Sequence, residues 1–331
     1  MDDNSTNRIA SVYLTFAERE AHGRSALYET LARGVAADSV ALSFLAELPR
    51  AKRQPNLLFA AMKYLYGTPK NWGNFRRLLL EHGDEIRATM MVRNTQTNEP
   101  ARCATLLPLL AHLPPPLALL EVGAAAGLCL LSDTYAYDYD GYRVPPTLFT
   151  SATPPTFFCQ AHRAPLPDRG LEIIWRAGLD LRPIDIKDPD QIAWLEALVW
   201  PDEGNRLQLL RDAVKIAQHY SLQVVQGDLR TDLRALVARM PEDATRVVFH
   251  TAVLGYLSSD DERSAFAQTV RNLDVVWISN EPPVLFPDMT QDLNEPWPFG
   301  LFLLSMNRRP IAWTDPHGAS LDWISDFRNQ R

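Results

Sequence analysis

From residue 117 onward, short apolar segments alternate with amphipathic ones, and this alternation constrains the fold more than any other feature of the chain. "LALLEV", "LEIIWRAGLDL", "LQVVQGD", "TRVVFHTAV" and "DVVWISNEP" read as strands. "DPDQIAWLEALVWPDEGNRLQLLRDAVKIAQHY", "RTDLRALVARM" and "SDDERSAFAQTVRNL" lie between them with helical spacing. Strands that alternate with helices of this length build βαβ units and a parallel sheet. The expected class is α/β, with a doubly wound, Rossmann-like sheet. Residues 133 to about 170 are rich in Tyr, Pro and Phe and fit no crossover helix, so an insertion is expected there, after the first strand-helix unit. "LFLLSMN" and "RPIAWTDPHG" are expected to form a terminal hairpin on the sheet edge.

Ahead of this region, residues 6 to 90 show apolar residues at helical intervals and no strand alternation. The expected division is a helical N-terminal cap region over 1–100 and a ligand-binding α/β domain over 101–331. "SALYETLARGVAAD" reads as a helix ending near Gly34, and "NWGNFRRLLLEHGDEI" as one closed by Gly83. "RNTQTNEPARCATLLPLLAHLPP" offers Thr97 and Asn98 as caps for an apolar helix that stops at Pro114-Pro115-Pro116.

Composition excludes several classes. A net charge of −7 argues against a nucleic-acid partner, because neutralising phosphates favours a basic face. The three cysteines, Cys103, Cys129 and Cys159, are far apart, so neither a disulfide framework nor a metal site is expected. The acidic, polar start lacks the form of a signal peptide, and no apolar run is long enough to cross a membrane. A cytoplasmic location and no membrane partner are therefore expected.

"LLEVGAAAGLCLL" carries the first chemistry. Its E-x-G-x-x-x-G spacing, with Glu121, Gly123 and Gly127, differs from the dinucleotide fingerprint, which needs glycine where Ala125 and Leu128 stand. Glycines at a strand-to-helix turn let backbone approach a ligand, and the helix N-terminus offers free N–H groups. An apolar helix containing small residues is the competing reading. "AGLDLRP" then puts Asp180 at the end of the second strand, where a carboxylate can accept two hydrogen bonds from a ribose diol. "VVQGDLR" puts Asp228 after the third, able to accept from an adenine amino group beside the Leu229 N–H. Each acid alone reads more readily as a helix cap or a solvated turn residue. Asp138 and Asp140 in "YAYDYDGYRV" are the alternative ribose ligands.

E-V-G-A-A-A-G, G-L-D-L-R-P and V-Q-G-D resemble the cofactor motifs of class I S-adenosyl-L-methionine (SAM)-dependent methyltransferases. "QTNEPARCATLLPLL", "LLEVGAAAGLCLL", "WRAGLDLRPIDI", "WLEALVWPDE" and "VVFHTAVLGYL" together resemble an uncharacterised bacterial family, a domain of unknown function with a methyltransferase-like core, over roughly residues 5 to 325. The resemblance implies SAM as cofactor. It implies Glu121 at the methionine amino end, and Gly123, Ala125 and Gly127 along the cofactor's path. Asp180 and Leu181 would lie at the ribose, Gly227, Asp228 and Leu229 at the adenine, and His250 and Thr251 at the next strand end.

Ligands of such sheets sit beyond the carboxyl ends of the strands. His250 is the candidate base there, with Tyr256, Glu281 and Asn98 as further catalytic candidates. The plainer readings are a hydrogen-bonded histidine, a packing tyrosine, a structurally paired glutamate and a capping asparagine. Glu99 reads like Asn98, either as a cap or as part of a segment closing over the site, and His317 in "DPHG" reads as a turn residue. No G-x-S-x-G occurs, which disfavours a hydrolase. Three functions are carried forward: a SAM-dependent methyltransferase acting on a small molecule, a SAM-consuming enzyme that attacks the aminocarboxypropyl arm and releases methylthioadenosine, and a non-catalytic nucleoside-binding protein.

Overall fold

The structure, a computed structural model, describes residues 3–148, 153–291, 293 and 297–325. The chain divides into two compact units, Met1–Thr97 with Lys187–Gln208 and Asn98–Ile186 with Leu209–Arg331. Among the described residues no helix is long and apolar enough to cross a membrane.

The first unit is helical, with helices at Asp3–Phe16, Ala26–Ala37, Ser39–Ala46, Pro55–Tyr66, Trp72–Val92 and Pro189–Ala197. The Ser25 hydroxyl accepts from the Tyr28 N–H at 3.1 Å and starts the second helix. That helix runs to Ala37, just past Gly34, so the glycine is not itself the stop. A Cβ at position 34 would lie 2.4 Å from the Trp72 ring, so glycine here allows a close approach inside the helix. Gly83 likewise closes nothing: its helix runs on to Val92, bent at His82 (φ −131), whose ring stacks on Tyr66. The core gathers Phe16, Tyr28, Phe59, Phe75 and Trp200. Segment 187–208 is fixed by the Trp194 indole N–H on Asn94 O (2.9 Å) and the Trp200 indole N–H on Asn56 Oδ1 (3.0 Å).

The second unit holds strands β1 (Leu117–Val122), β2 (Ala136–Tyr139), β3 (Tyr142–Val144), β4 (Thr156–Phe158), β5 (Gln160–His162), β6 (Ile173–Asp180), β7 (Val224–Gln226), β8 (Thr245–Thr251), β9 (Val276–Glu281), β10 (Phe302–Met306), β11 (Arg309–Thr314) and β12 (Ser320–Trp323). Nine of them form a mixed, largely parallel sheet in the order β5-β12-β11-β10-β9-β8-β1-β6-β7. The block β9-β8-β1-β6-β7 is parallel throughout. The chain moves from β1 outward to β6 and β7, then returns past β1 to β8 and β9. The strand order therefore reverses between β1 and β8.

On one face of β1, Ala118, Leu120 and Val122 join Leu179 and Val248 in packing against Leu233, Leu236 and Val237 of helix Leu233–Val237 and Phe266 and Val270 of helix Asp260–Arg271. Leu117 and Leu119, which alternate with them, are equally buried. Burial on both faces explains the unbroken apolar run "LALL".

Local details differ from or extend what was expected. The hairpin β10–β11 exists, but β12 and β5 lie outside it, so it is not the sheet edge. Region 133–170 contributes a separate sheet, β3-β2-β4, and also β5. No α-helix follows the glycines after β1, only the short 3₁₀ turn Leu128–Leu131. Helix propagation stops there because the Thr134 hydroxyl and N–H both bond back to Leu131 O, and Asp133 is drawn into a two-pronged ion pair with Arg176 at 2.8 Å. The apolar helix before β1 spans Cys103–Leu110 and ends ahead of the prolines. Glu99, not Thr97 or Asn98, caps the short turn that leads into it.

Candidate functional site

At the carboxyl end of β1 the backbone turns sharply, and Gly123, Ala125 and Gly127 all have positive φ (75°, 49° and 74°). Glycine tolerates this, whereas at alanine it costs about 1–2 kcal/mol. The strain at Ala125 is held by a specific partner: its N–H donates to Asp180 Oδ2 at 2.8 Å. The Gly123 N–H donates to Leu179 O at 2.8 Å, so the turn is pinned to the end of β6 through backbone and side chain together. The other oxygen of Asp180 accepts from the Arg182 N–H at 2.8 Å. Asp180 is thus a buried carboxylate oriented by one backbone donor on each oxygen.

Glu121, near the end of β1, is buried, and its Oε2 has no hydrogen-bond partner. Burial pushes its carboxyl well above the usual range, helped by Cys129 and Asp180 and opposed by Arg102. The native state therefore holds a proton on Glu121 that the unfolded chain releases above about pH 4.5, its ordinary value. Stability from this group is full below that pH and is lost as pH rises toward the folded pKa. Glu121→Gln, neutral at every pH, is expected to match the native chain near pH 4. By pH 8 it should exceed it, with Tm higher by roughly 3 °C or more in thermal unfolding scans.

Across the reversal point, at the ends of β8 and β9, His250 and Glu281 are completely buried and face each other. The Trp277 indole N–H, which can only donate, reaches His250 Nε2 at 3.0 Å. That assigns the ring proton to Nδ1, which donates to Glu281 Oε1 at 2.7 Å. The same oxygen accepts from the N–H groups of Val253 (2.8 Å) and Leu254 (3.2 Å), while Glu281 Oε2 has no partner. Both ring nitrogens of His250 are therefore committed within the protein, and the histidine positions Glu281 instead of offering a free base.

Segment Asn98–Arg102 crosses these strand ends. Asn98 Oδ1 accepts from the Leu128 N–H at 2.9 Å, which makes the asparagine a cap for the turn after β1. Arg102 Nη1 donates to Thr251 O (2.9 Å) and Thr251 Oγ1 (3.0 Å), and its Nε to Pro316 O (2.7 Å). His317 does sit in a turn, Asp315–Gly318, with Nδ1 3.7 Å from Glu99 Oε2. Arg102 acts electrostatically on both Glu121 and Tyr256, which places it at the centre of the cluster. The sequence reading passed over it. Its one trace there is a lone cation directly ahead of an otherwise uncharged helix, "CATLLPLL".

The structure thus brings together Glu121, Gly123, Ala125, Gly127, Asp180 and Asn98 on one side of the reversal point and His250, Thr251 and Glu281 on the other. Tyr256 is exposed and feels the charges of Arg102, Asp180 and Glu281. Leu181 is exposed beyond β6, and the Gly227 N–H donates to Asp180 O. Asp228 is not presented as expected. Arg230 grips its carboxylate through Nε and Nη2 (2.6–3.1 Å) and holds its pKa below the usual carboxylate range. Leu229 packs against the apolar cluster of the sheet. Asp138 and Asp140, the alternative ribose ligands, belong to the β2–β3 hairpin. Asp138 accepts from the Gly141 N–H there, and Asp140 accepts from the Ala161 N–H.

No curated protein and no solved structure matches the chain. A family model described as "Uncharacterized protein conserved in bacteria (DUF2332)" matches residues 10–323, nearly the whole chain, and the protein belongs to that family.

Proposed function

We propose that the chain is a SAM-dependent methyltransferase acting on a small-molecule acceptor, with the cofactor lying across the carboxyl ends of β1 and β6. The observation that carries this reading is Asp180. Its buried carboxylate is oriented by backbone N–H donors at the end of β6, where a carboxylate is suited to accept from a vicinal diol. The reversal of strand order next to β1 is where open α/β sheets bind ligands.

The residues fit SAM at its ribose and methionine ends. Glu121, its carboxyl pKa raised by burial and its Oε2 without a partner, lies at the methionine end of the proposed cofactor. Glu281 supplies a carboxylate oxygen with no partner of its own, suited to a cationic neighbour. Asp228, held by Arg230, is left out of the cofactor's ligands. Bound SAM would supply an electrophilic methyl group; the protein contributes alignment and desolvation. His250 takes no proton from the acceptor in this scheme, because both of its nitrogens are already bonded.

Calorimetric titration with SAM and with S-adenosylhomocysteine tests the reading. Binding of both is expected; absence of heat at millimolar ligand with folded protein refutes it. Mass spectrometry of the nucleoside product then identifies the reaction: S-adenosylhomocysteine for methyl transfer, methylthioadenosine for attack on the aminocarboxypropyl arm.

A further inference from the structure

Glu281 is built asymmetrically. Three N–H donors, from His250, Val253 and Leu254, converge on Oε1, and Oε2 is buried with none. A buried acceptor left without a donor costs about 1–3 kcal/mol, and the donors on Oε1 fix the carboxylate so that it cannot rotate to share them. The Trp277 N–H in turn fixes His250. A chain of three buried side chains thus orients one vacant acceptor at the end of β9, where Tyr256 already senses the charges of Glu281 and Asp180.

The group that completes Oε2 must be a hydrogen donor. Among the described residues no three His, Cys, Asp or Glu side chains converge as a metal site would need, so the donor set suits an organic group. An ammonium answers a carboxylate better than a hydroxyl does, because a charge-assisted hydrogen bond is roughly twice as strong as a neutral one. Apolar side chains are exposed along this edge of the sheet. Leu181, Tyr256 and Val284 follow the ends of β6, β8 and β9, Phe299 precedes β10, and these four side chains are 61–84% exposed. Large apolar side chains held in water at ligand-bearing strand ends are suited to covering the apolar part of a ligand.

We infer that Glu281 Oε2 anchors the nitrogen of an organic amine with an apolar body, and that His250 and Trp277 are the positioning residues that aim it. The amine subsite stands on this geometry alone. That the amine is also the methyl acceptor rests on the methyltransferase reading.

The test uses the whole chain and three probes of one shape: phenethylamine, 2-phenylethanol and 3-phenylpropionate, titrated calorimetrically near neutral pH. The native protein is expected to bind phenethylamine about tenfold or more tighter than the alcohol and to bind the acid least. Glu281→Gln, its fold checked by circular dichroism and thermal unfolding, is expected to lose the preference for the amine. Equal binding of amine and alcohol by the native chain overturns the proposal, as does an amine preference that survives Glu281→Gln, or no binding of any probe at tens of millimolar. If Glu281→Gln does not fold, the native-chain comparison decides. S-adenosylhomocysteine titrated into the same samples separates the two ideas: amine binding without nucleoside binding keeps the subsite and removes the methyltransferase.

Discussion

His250→Ala is expected to destabilise the second unit by about 3–5 kcal/mol, read as a drop in denaturant midpoint at unchanged slope. The side chain is completely buried, so truncation leaves a cavity between Phe266 and Trp277, whose rings pack on it. It also strips the Trp277 indole of its acceptor and Glu281 of one of its three donors. The last two losses can be told apart. In the double change His250→Ala with Trp277→Phe, the indole N–H is absent as well, so the pair is expected to cost less than the sum of the singles. Strict additivity would mean that the Trp277–His250 bond contributes nothing.

Asp180→Ala carries the second large effect, in two measurements. Two backbone donors lose a charged acceptor, which costs about 2–4 kcal/mol of stability. Ala125 loses the bond that holds it at positive φ, so the turn after β1 relaxes toward ordinary backbone. Affinity for S-adenosylhomocysteine is expected to fall roughly a hundredfold or more, since the two bonds proposed to the ribose would vanish and the turn would loosen. Asp180→Asn should fall between, because its single oxygen can serve only one of the two N–H groups. Unchanged affinity in Asp180→Ala would remove Asp180 as the ribose ligand and return that role to another acid.

What the sequence made legible was local and periodic. β1, β6, β8 and β9 sit within the apolar segments that announced them, and Asp180 ends its strand as "AGLDLRP" implies. The misses have a shared cause: partners distant in sequence. Gly34 and Gly83 looked like helix stops because a glycine's tertiary neighbour, such as Trp72 at Gly34, is not written beside it. Asp228 looked available because nothing in "VVQGDLR" says that Arg230 folds back onto it. Arg102 carried no signal of its own, because its partners Thr251 and Pro316 lie far along the chain. His250 and Glu281 were both singled out, but their relationship needed the parallel pairing of β8 with β9. Trp277, which settles the histidine's tautomer, was read only as part of a strand.

The first unit is assembled from two stretches separated by about 90 residues of the other unit. Its core is closed by Trp194 and Trp200, which emerge from the ribosome long after Phe16, Tyr28 and Phe59. At roughly 5–20 residues per second, synthesis takes several seconds or more to pass from residue 97 to residue 208. Throughout that interval the early helices carry an uncovered aromatic face. The nascent protein thus passes through a defined window in which chaperones have something to hold, and the window ends when "WLEALVWPDE" is delivered.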